Sequence, residues 1–423
     1  MAKRKTNEAV VSAPLKLSIC LVTYNRAKYL DAALGDLFKE KPFDFPFEVI
    51  VCDNHSTDDT PAVVAKWQAR QPEIRPIRQT FNVGLENNIT TAYRLAEGDY
   101  SIYLADDDRL IPEAVSRYVH YMDENPNIVA CHSPWEYWDD VKKVALGRYY
   151  ELPNDIVIGK QNALELFNVI VNHSAYPEIP FSRTSVLHKY RTASFSLHSG
   201  IVNAVHSLGY GDICFRAEPF YRTVSIGDIP AWAEHAGCNW LIHQRDMFSG
   251  GLEFLAKKAF KHAGFDAIPP EQAEMMARLV DKHMAGKLAT AVNVLVNMGN
   301  FHGAYEFAVR AQAHGWGGAE IERRWPFLHL KAAAQNIIET LEGISVVKGL
   351  ALKGFDGYPV MLELIRFLRP ALAVTQVNAD NEADLDRFLI LTFSEEERQQ
   401  LLGYGYSPGL IMNLPDVLAL FDF

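Results

Sequence analysis

The stretch Tyr103-Leu-Ala-Asp-Asp-Asp-Arg-Leu110 joins an apolar run to three consecutive carboxylates. The apolar residues from Tyr100 to Ala105 predict a buried strand, and the triplet Asp106–Asp108 follows at its carboxyl end. Adjacent acids repel one another strongly unless water or a cation takes up their charge. Hard divalent cations prefer oxygen ligands, and ligands of open α/β sheets bind at the carboxyl ends of strands. The triplet therefore predicts a metal–diphosphate site; the alternative is a solvated acidic turn that caps the helix near Pro112.

Strand and helix signals alternate upstream of the triplet. Apolar runs predict one strand that begins at Leu17, a second from Phe47 to Cys52, and a third from Ile74 to Arg78. Apolar residues at helical spacing follow each strand, and Thr60 followed by Pro61 is typical of a helix start. This alternation predicts a mainly parallel sheet covered by helices on both faces. The polar residues that follow the strands should then share one edge of the sheet.

Four segments of the first quarter of the chain resemble glycosyltransferase family 2 in their order and spacing. Members of that family have the GT-A fold and use nucleotide-activated sugars. The segments are Val22-Thr-Tyr-Asn-Arg26, Val51-Cys-Asp-Asn-His-Ser-Thr-Asp-Asp-Thr60, Asn82-Val-Gly84 and Leu104-Ala-Asp-Asp-Asp108. The resemblance implies a GT-A domain and a nucleotide-sugar donor.

The resemblance also implies which residues bind the nucleotide. Thr23 and Tyr24 would line the nucleoside pocket, with the Tyr24 ring against the base, and Asp53 would accept a hydrogen bond from the base edge. Uracil and thymine offer the same N3–H donor, which favours a UDP- or dTDP-linked sugar. The full set of nucleotide-binding residues implied in this way is Thr23, Tyr24, Arg26, Asp53, Asn82, Asp106 and Asp107.

The triplet matches the DxD motif of the family, which binds a divalent cation, Mn²⁺ or Mg²⁺. Asp106 and Asp107 match its ribose- and metal-contacting part, and Asp108 matches its best metal-ligand position. The family more often has an acid where Ala105 stands, so which two carboxylates hold the ion stays open. Asp106 and Asp108 are the expected ligands, and His243 is a late side chain that would return to the metal or the diphosphate.

Family members usually invert the anomeric centre, which requires a general base near the acceptor hydroxyl. The family's acidic pair would fall near Leu197-His-Ser199, where this chain has no acid. His198 is one candidate base, because imidazole titrates near neutral pH. Glu178 and Asp212 are the rivals. The alternative for His198 is a helix-start histidine, and the alternative for Glu178 is a loop carboxylate without a catalytic role.

Aromatic side chains follow the triplet in the sequence. Tyr137 and Trp138 lie in a predicted strand and would provide a platform on which an acceptor sugar stacks; an aromatic core of the sheet is the alternative.

Composition excludes several other classes of protein. The 423 residues carry a net charge of −11 and no basic stripe, which argues against a nucleic-acid partner. The five cysteines lack zinc-site spacing, and Cys20 and Cys52 are expected to be buried in strands of a protein from a reducing compartment. No apolar run approaches the ~20 residues that span a bilayer. A cytoplasmic protein is expected, peripheral to the inner face of the membrane if its acceptor is lipid-linked.

Three regions are predicted along the chain. Residues 1–14 form a disordered lead-in, residues 15–248 the GT-A domain, and residues 249–423 an all-α domain after Gly250-Gly251. The helical domain would bind the acceptor, mediate homo-oligomer formation or dock a partner. Two functions from different classes fit these patterns. The first is a transferase that acts on a glycan or lipid-linked acceptor in cell-envelope or surface polysaccharide synthesis, and the second is a non-catalytic nucleotide-sugar or glycan-binding protein with a degenerate transferase fold.

Overall fold

The structure is a computed structural model of the 423-residue chain. It describes residues 14–189, 197–229, 245–353, 359–377 and 387–421. Of the expected disordered lead-in, only its last residue is therefore described. None of the helices in these ranges is both long enough and apolar enough to cross a membrane.

The chain divides into two compact units, and the first comprises residues up to 229 together with residues 245–280. Its strands are β1 (Leu17–Thr23), β2 (Phe47–Asp53), β3 (Ile74–Arg78), β4 (Tyr100–Ala105), β5 (Arg109–Leu110), β6 (Ile128–His132), β7 (Glu136–Asp139), β8 (Val144–Arg148), β9 (Ile156–Ile158), β10 (Phe181–Arg183), β11 (Asp212–Phe215) and β12 (Tyr221–Ile226). Its helices are α1 (Ala27–Leu37), α2 (Thr60–Gln68), α3 (Leu85–Leu95), α4 (Pro112–Glu124), α5 (Ala163–His173), α6 (Thr184–Leu187), α7 (Ser199–Ser207) and α8 (Arg245–His262).

An eight-stranded sheet forms the centre of the first unit, in the order β3-β2-β1-β4-β10-β6-β11-β9. The four strands β3, β2, β1 and β4 are parallel, β6 and β11 are parallel to each other, and β10 and β9 run antiparallel to their neighbours. β1 and β2 are buried along their whole length, as expected for parallel strands covered on both faces. The predicted mainly parallel α/β architecture is confirmed, and Cys20 and Cys52 are buried in it as expected.

A second sheet of the first unit begins immediately after the acidic triplet. Its order is β5-β12-β7-β8, and β5 starts at Arg109, the residue that follows the triplet. β5 pairs antiparallel with β12, and β12 pairs in parallel with β7. The second sheet therefore places β12 beside the carboxyl end of β4.

A buried polar cluster joins the strands at the opposite, amino-terminal edge of the large sheet. The Ser18 hydroxyl donates to Glu48 Oε1 at 2.6 Å and accepts from the Gly98 amide at 2.9 Å. Glu48 Oε2 lies 3.0 Å from Arg75 Nε, which neutralises the carboxylate. The Glu48 carboxylate and the Arg75 guanidinium thus compensate each other's charge. Because the cluster joins residues of β1, β2, β3 and the turn before β4, it fixes the register between them.

The second unit takes in residues from 281 onward. Its helices, with the one that leads into it, are α9 (Pro270–Asn297), α10 (Phe301–Ala313), α11 (Gly318–Arg324), α12 (Leu328–Glu342), α13 (Pro359–Leu368), α14 (Glu395–Gly403) and α15 (Leu414–Ala419). Its strands are β13 (Gly349–Leu352), β14 (Val374–Gln376), β15 (Phe388–Thr392) and β16 (Ile411–Asn413).

The expectation that the carboxyl-terminal region contains helices alone is wrong. Helices dominate residues 245–342, but β13 to β16 form a parallel four-stranded sheet in the order β14-β13-β15-β16. These strands are only three to five residues long, and runs this short do not distinguish a strand from a buried helix segment.

The predicted boundary after residue 248 also lies too early. α8 belongs to the first unit, where the ring of Phe248 stacks on that of Tyr176 with centroids 5.3 Å apart. The division falls after Val280, inside α9. Gly250 and Gly251 therefore lie within a helix of the first unit, and Gly251 allows close approach because an added Cβ would lie 3.2 Å from His198 Cβ.

Gly98→Ala is expected to destabilise the protein by roughly 1–3 kcal/mol or more. An added Cβ would lie 2.7 Å from the backbone carbon of Leu17 and 2.8 Å from the Ser18 nitrogen, so the strand itself would have to shift. The matched control is Gly35→Ala in α1, where the Cβ would make an ordinary 3.7 Å contact with Trp67. That change should stabilise the helix by about 0.5–1 kcal/mol. Urea denaturation of the two variants checks the prediction, and equal midpoints would contradict it.

Candidate functional site

The register of the parallel strands aligns the polar loops at one edge of the large sheet. Thr23 at the end of β1 is opposite Asp53 at the end of β2, and Val22 is opposite Ala105 at the end of β4. Asp106, the next residue, is therefore level with Thr23. The expectation that these residues share the carboxyl edge of one sheet is confirmed.

Asp106 and Asp107 surround one cationic side chain. Asp106 Oδ2 accepts a 2.6 Å hydrogen bond from the Thr23 hydroxyl, and Asp106 Oδ1 lies 2.9 Å from Arg26 Nε. Asp107 Oδ2 accepts a 2.5 Å hydrogen bond from Arg26 Nη2. Thr23 itself is 4% exposed, so it orients Asp106 rather than lining an open pocket as the sequence had suggested.

Asp108 is held by different neighbours. Its Oδ2 accepts from the Tyr221 hydroxyl at 2.9 Å, and its Oδ1 accepts from the Val224 amide at 3.1 Å. The Tyr221 hydroxyl also accepts from the Ala105 amide at 3.0 Å. Asp108 thus joins the end of β4 to β12. Both carboxylate oxygens of Asp108, one of the two expected metal ligands, are thus engaged by β12.

Tyr221 is a positioning residue that sequence reasoning did not identify. Tyr221 lies in the segment Glu218-Pro-Phe-Tyr-Arg222, and neither its pairing with β5 nor its hydrogen bond to Asp108 follows from local sequence. The hydroxyl of a buried tyrosine needs partners, and that general rule was the available signal.

Burial disfavours the charged forms of two acids in the triplet. Burial raises the pKa of Asp106 to about 7, although the charge of Arg26 opposes the shift. Burial also raises the pKa of Asp108 well above its usual range. The charge of Arg109 opposes the shift at Asp108, although its Nη2 also lies 2.9 Å from Asp140 and its Nη1 donates to the Asp108 carbonyl. A further positive charge at this edge would be stabilised.

Asp53 presents a buried oxygen that suits a nucleobase. Its Oδ1 accepts from the Ser56 amide at 2.9 Å, whereas its Oδ2 finds no hydrogen-bond donor among the described residues. Arg78 Nε is 3.6 Å from that oxygen, which is close enough for attraction but too far for a hydrogen bond. Asp53 is only 3% exposed, so an unsatisfied acceptor here is costly and would be relieved by a donor from a ligand.

Tyr24 and Asn82 lie on either side of Asp53. The Tyr24 side chain is 41% exposed, as a ring that stacks on a ligand would be. Asn82 Oδ1 accepts from Asn54 Nδ2 at 2.8 Å and from the Gly84 amide at 2.9 Å. Asn82 therefore shapes the loop before α3 and braces the residue that follows Asp53.

His198, one of the three candidate bases, does not have the geometry of a base. Its side chain is fully buried; Nδ1 accepts from the Ile201 amide at 3.3 Å, and Nε2 is 2.7 Å from the Tyr176 hydroxyl. Since Nδ1 is the acceptor, Nε2 carries the hydrogen and donates it to Tyr176. His198 caps α7 and packs in an aromatic core, which is its structural alternative.

Asp212 is also excluded by position. It is the first residue of β11, opposite Ile128 at the start of β6. β6 has the same direction as β4, because both pair antiparallel with β10. Asp212 therefore lies at the amino-terminal edge, away from the triplet, and its Oδ1 accepts from the Lys160 amide at 2.7 Å.

Glu178 is the candidate base that lies at the site. Burial raises the pKa of Tyr103 well above its usual range, and the negative charges of the three aspartates and of Glu178 add to the shift, so Glu178 and the triplet act on the same hydroxyl. Glu178 is exposed, and its charge also acts on Tyr149 and Tyr176. An exposed carboxylate beside the triplet is accessible to an acceptor.

The two predicted platform residues face different surroundings. The Trp138 ring lies under the guanidinium of Arg222 at 3.8 Å, and its Nε1 donates to Asp140, so Trp138 is committed to the second sheet. Tyr137 instead contacts Tyr149, with ring centroids 6.3 Å apart. Tyr137 thus belongs to an aromatic group with Tyr149 and Tyr176.

The donor set fits a divalent cation at Asp106 and Asp107. Within the described ranges, no three His, Cys, Asp or Glu side chains converge as a preformed centre. Asp106 and Asp107 nevertheless already surround a positive charge, and carboxylate oxygens suit Mg²⁺ and Mn²⁺. Asp108 fits less well, because both of its oxygens accept hydrogen bonds from the protein. His243, the other predicted ligand, lies outside the described residues.

Comparison with known proteins identifies the region that contains this edge. Residues 18–179 match the model of the family described as Glycosyl transferase family 2. The chain is 35% identical over 120 residues to "Uncharacterized protein Rv1520" of Mycobacterium tuberculosis, covering 28% of this chain and 34% of that protein. It is 31% identical over 118 residues to "Abequosyltransferase RfbV" of Salmonella typhimurium, covering 27% of this chain and 35% of that one.

The chain thus spans about a third of the length of these relatives. Among solved structures, it is similar to S. aureus TarS 1-349 in complex with UDP-GlcNAc, with 17% sequence identity, a TM-score of 0.45, and coverage of 70% of this chain and 81% of that chain. The family match includes β1, β2 and β4 and with them Asp53 and the triplet. Residues 18–179, which carry this edge of the sheet, are thus similar to glycosyltransferase family 2.

Proposed function

We propose that this chain is a metal-dependent, inverting glycosyltransferase. It moves a sugar from a UDP- or dTDP-linked donor to a glycan or lipid-linked acceptor, in the synthesis of a cell-envelope or surface polysaccharide. The observation that carries the proposal is the single sheet edge on which Asp53, whose Oδ2 receives no hydrogen bond from the described residues, is aligned with Asp106 and Asp107. The name of the abequosyltransferase relative supports sugar transfer.

Donor binding follows from the groups along this edge. Asp53 Oδ2 accepts the N3–H of uracil or thymine, and the exposed Tyr24 ring covers the base. Asp106 and Asp107 would hold Mn²⁺ or Mg²⁺ beside the diphosphate. The bound cation supplies Lewis-acid stabilisation of the charge on the departing nucleoside diphosphate. Thr23 keeps Asp106 oriented for this task through its 2.6 Å hydrogen bond.

Acceptor activation is assigned to Glu178. Inversion requires a base that takes the proton of the acceptor hydroxyl as that oxygen attacks the anomeric carbon. Glu178 is the predicted base whose charge reaches the group around Tyr103, whereas His198 is sealed and Asp212 lies at the other edge. The rings of Tyr137 and Tyr149 extend from Glu178 as a surface for the acceptor sugar.

A non-catalytic nucleotide-sugar-binding protein is the second candidate. The burial of His198 favours it, because the position nearest to the family's acidic pair carries a structural side chain. The two candidates differ in a single observable, the formation of a glycosylated product. Both require that Asp53 and the triplet bind a donor.

Asp53→Asn is expected to weaken UDP binding about 10- to 100-fold, because the amide that replaces Oδ2 presents a donor to the N3–H of the base. The Ser56 amide keeps its acceptor, so the fold should persist. The matched control is Asp59→Asn, the same change at an exposed position six residues later, which should leave affinity within about 2-fold. Titration calorimetry with UDP and Mn²⁺ measures both, and equal affinities would exclude Asp53 from base recognition.

Removal of divalent cations is expected to lower the release of nucleoside diphosphate from a UDP- or dTDP-sugar at least about 100-fold. The carboxylates cannot by themselves stabilise an anionic leaving group. A coupled assay in EDTA, followed by addition of excess Mn²⁺, checks both the loss and the recovery. Equal release with and without chelator would contradict a metal-dependent reaction.

Glu178→Gln is expected to lower the transfer rate about 10²- to 10⁴-fold with little change in UDP affinity, because the amide cannot accept the acceptor proton. Glu151→Gln alters another exposed acid of the same unit and should leave the transfer rate unchanged.

His198→Ala should lower the melting temperature, since the cap of α7 is lost, while the folded fraction keeps its turnover. Full activity of Glu178→Gln would place the base elsewhere, and absence of product in every variant would favour the binding protein.

A further inference from the structure

Arg26 occupies the position between the two carboxylates to which the cation is assigned. Its guanidinium contacts Asp106 and Asp107 at 2.9 and 2.5 Å, and it lies 4.2 Å from the centre of the Tyr29 ring. The two aspartate side chains are 7% and 18% exposed, and the guanidinium lies against both of them. Arg26 is therefore the counter-ion of this pair in the structure.

The contacts of Arg26 suit a side chain that can leave. Arg26 Nε lies 2.9 Å from Asp106 Oδ1, but the N–H is not directed at that oxygen, so this contact is an ion pair without a hydrogen bond. The side chain keeps 24% exposure at the rim of the site. Its backbone, by contrast, is fixed, because the Arg26 amide donates to the Thr60 hydroxyl at 3.2 Å at the start of α1.

A divalent cation and the guanidinium compete for the same oxygens. A cation bound by Asp106 and Asp107 would lie beside the positive charge of Arg26, and the two would repel each other. The backbone of Arg26 stays at the edge where the diphosphate would lie, and guanidinium groups pair well with phosphate oxygens. If the Arg26 side chain moves from the carboxylates to the phosphate oxygens, it no longer repels the cation, and its guanidinium gains the diphosphate as a new partner.

We propose that Arg26 is an exchangeable counter-ion that opposes cation binding in the empty site and promotes it when a nucleoside diphosphate is present. The proposal rests on the proposed function, because it takes the diphosphate from the donor. Its consequence is positive coupling: the cation frees Arg26 for the diphosphate, and the diphosphate draws Arg26 away from the cation's ligands. By linkage, each ligand strengthens the binding of the other by the same factor.

The test measures binding of Mn²⁺ alone to the full chain, from the electron paramagnetic resonance signal of free Mn²⁺ at pH 8. Arg26→Ala should bind Mn²⁺ about 10-fold or more tightly than the unaltered protein, because the competitor is gone. A gain in affinity cannot come from a damaged fold. The matched control is Lys28→Ala, which removes the same charge from an exposed position two residues away and should change affinity less than about 2-fold.

The second arm repeats the titration with UDP present. The unaltered protein should bind Mn²⁺ about 10-fold or more tightly with UDP than without it, and Arg26→Ala should lose most of this gain. If Arg26→Ala binds Mn²⁺ alone no more tightly than the unaltered protein, or gains no more than Lys28→Ala, the proposal is overturned. If UDP binds no variant, the donor assignment fails, whereas the titration with Mn²⁺ alone still decides the role of Arg26.

Discussion

The burial of adjacent carboxylates at the end of β4 is the constraint on which the site depends. Asp106 is held by Thr23 and Arg26 from the β1–α1 connection, and Asp108 is held by Tyr221 and Val224 from β12. Each acid therefore ties β4 to a different neighbour. Water is largely kept from these groups, so their stability depends on donors supplied by the protein or on positive charge supplied by a ligand.

The part of the site that could be predicted from sequence is the part set by parallel strands. β1, β2 and β4 are continuous apolar runs followed at once by polar residues, and parallel pairing aligns strand ends without knowledge of distant contacts. Asp53 and the triplet were located in this way. The same reasoning could not assign tasks within the triplet, because the partners of Asp108 come from β12, more than a hundred residues later.

Two of the three candidate bases were wrong for one physical reason: the position of a side chain in the fold outweighs its chemical type. His198 has a suitable side chain for a base, but its ring is sealed between Tyr176 and Phe248, and α7 uses it as a cap. Asp212 is a carboxylate on the correct sheet at the wrong edge. The sheet of the second unit was missed because its strands are short, and the second sheet of the first unit starts from a strand of only two residues.

Asp53 Oδ2, which receives no hydrogen bond from the described residues, bears on how the protein would choose among pyrimidine nucleotides. A buried acceptor without a donor raises the free energy of the empty protein, and a base with an N3–H removes that strain on binding. Cytosine carries a lone pair at N3, which would face the carboxylate and leave it unsatisfied. Selection against cytidine nucleotides would then arise from the missing hydrogen bond at Asp53, and no residue that repels cytosine would be required.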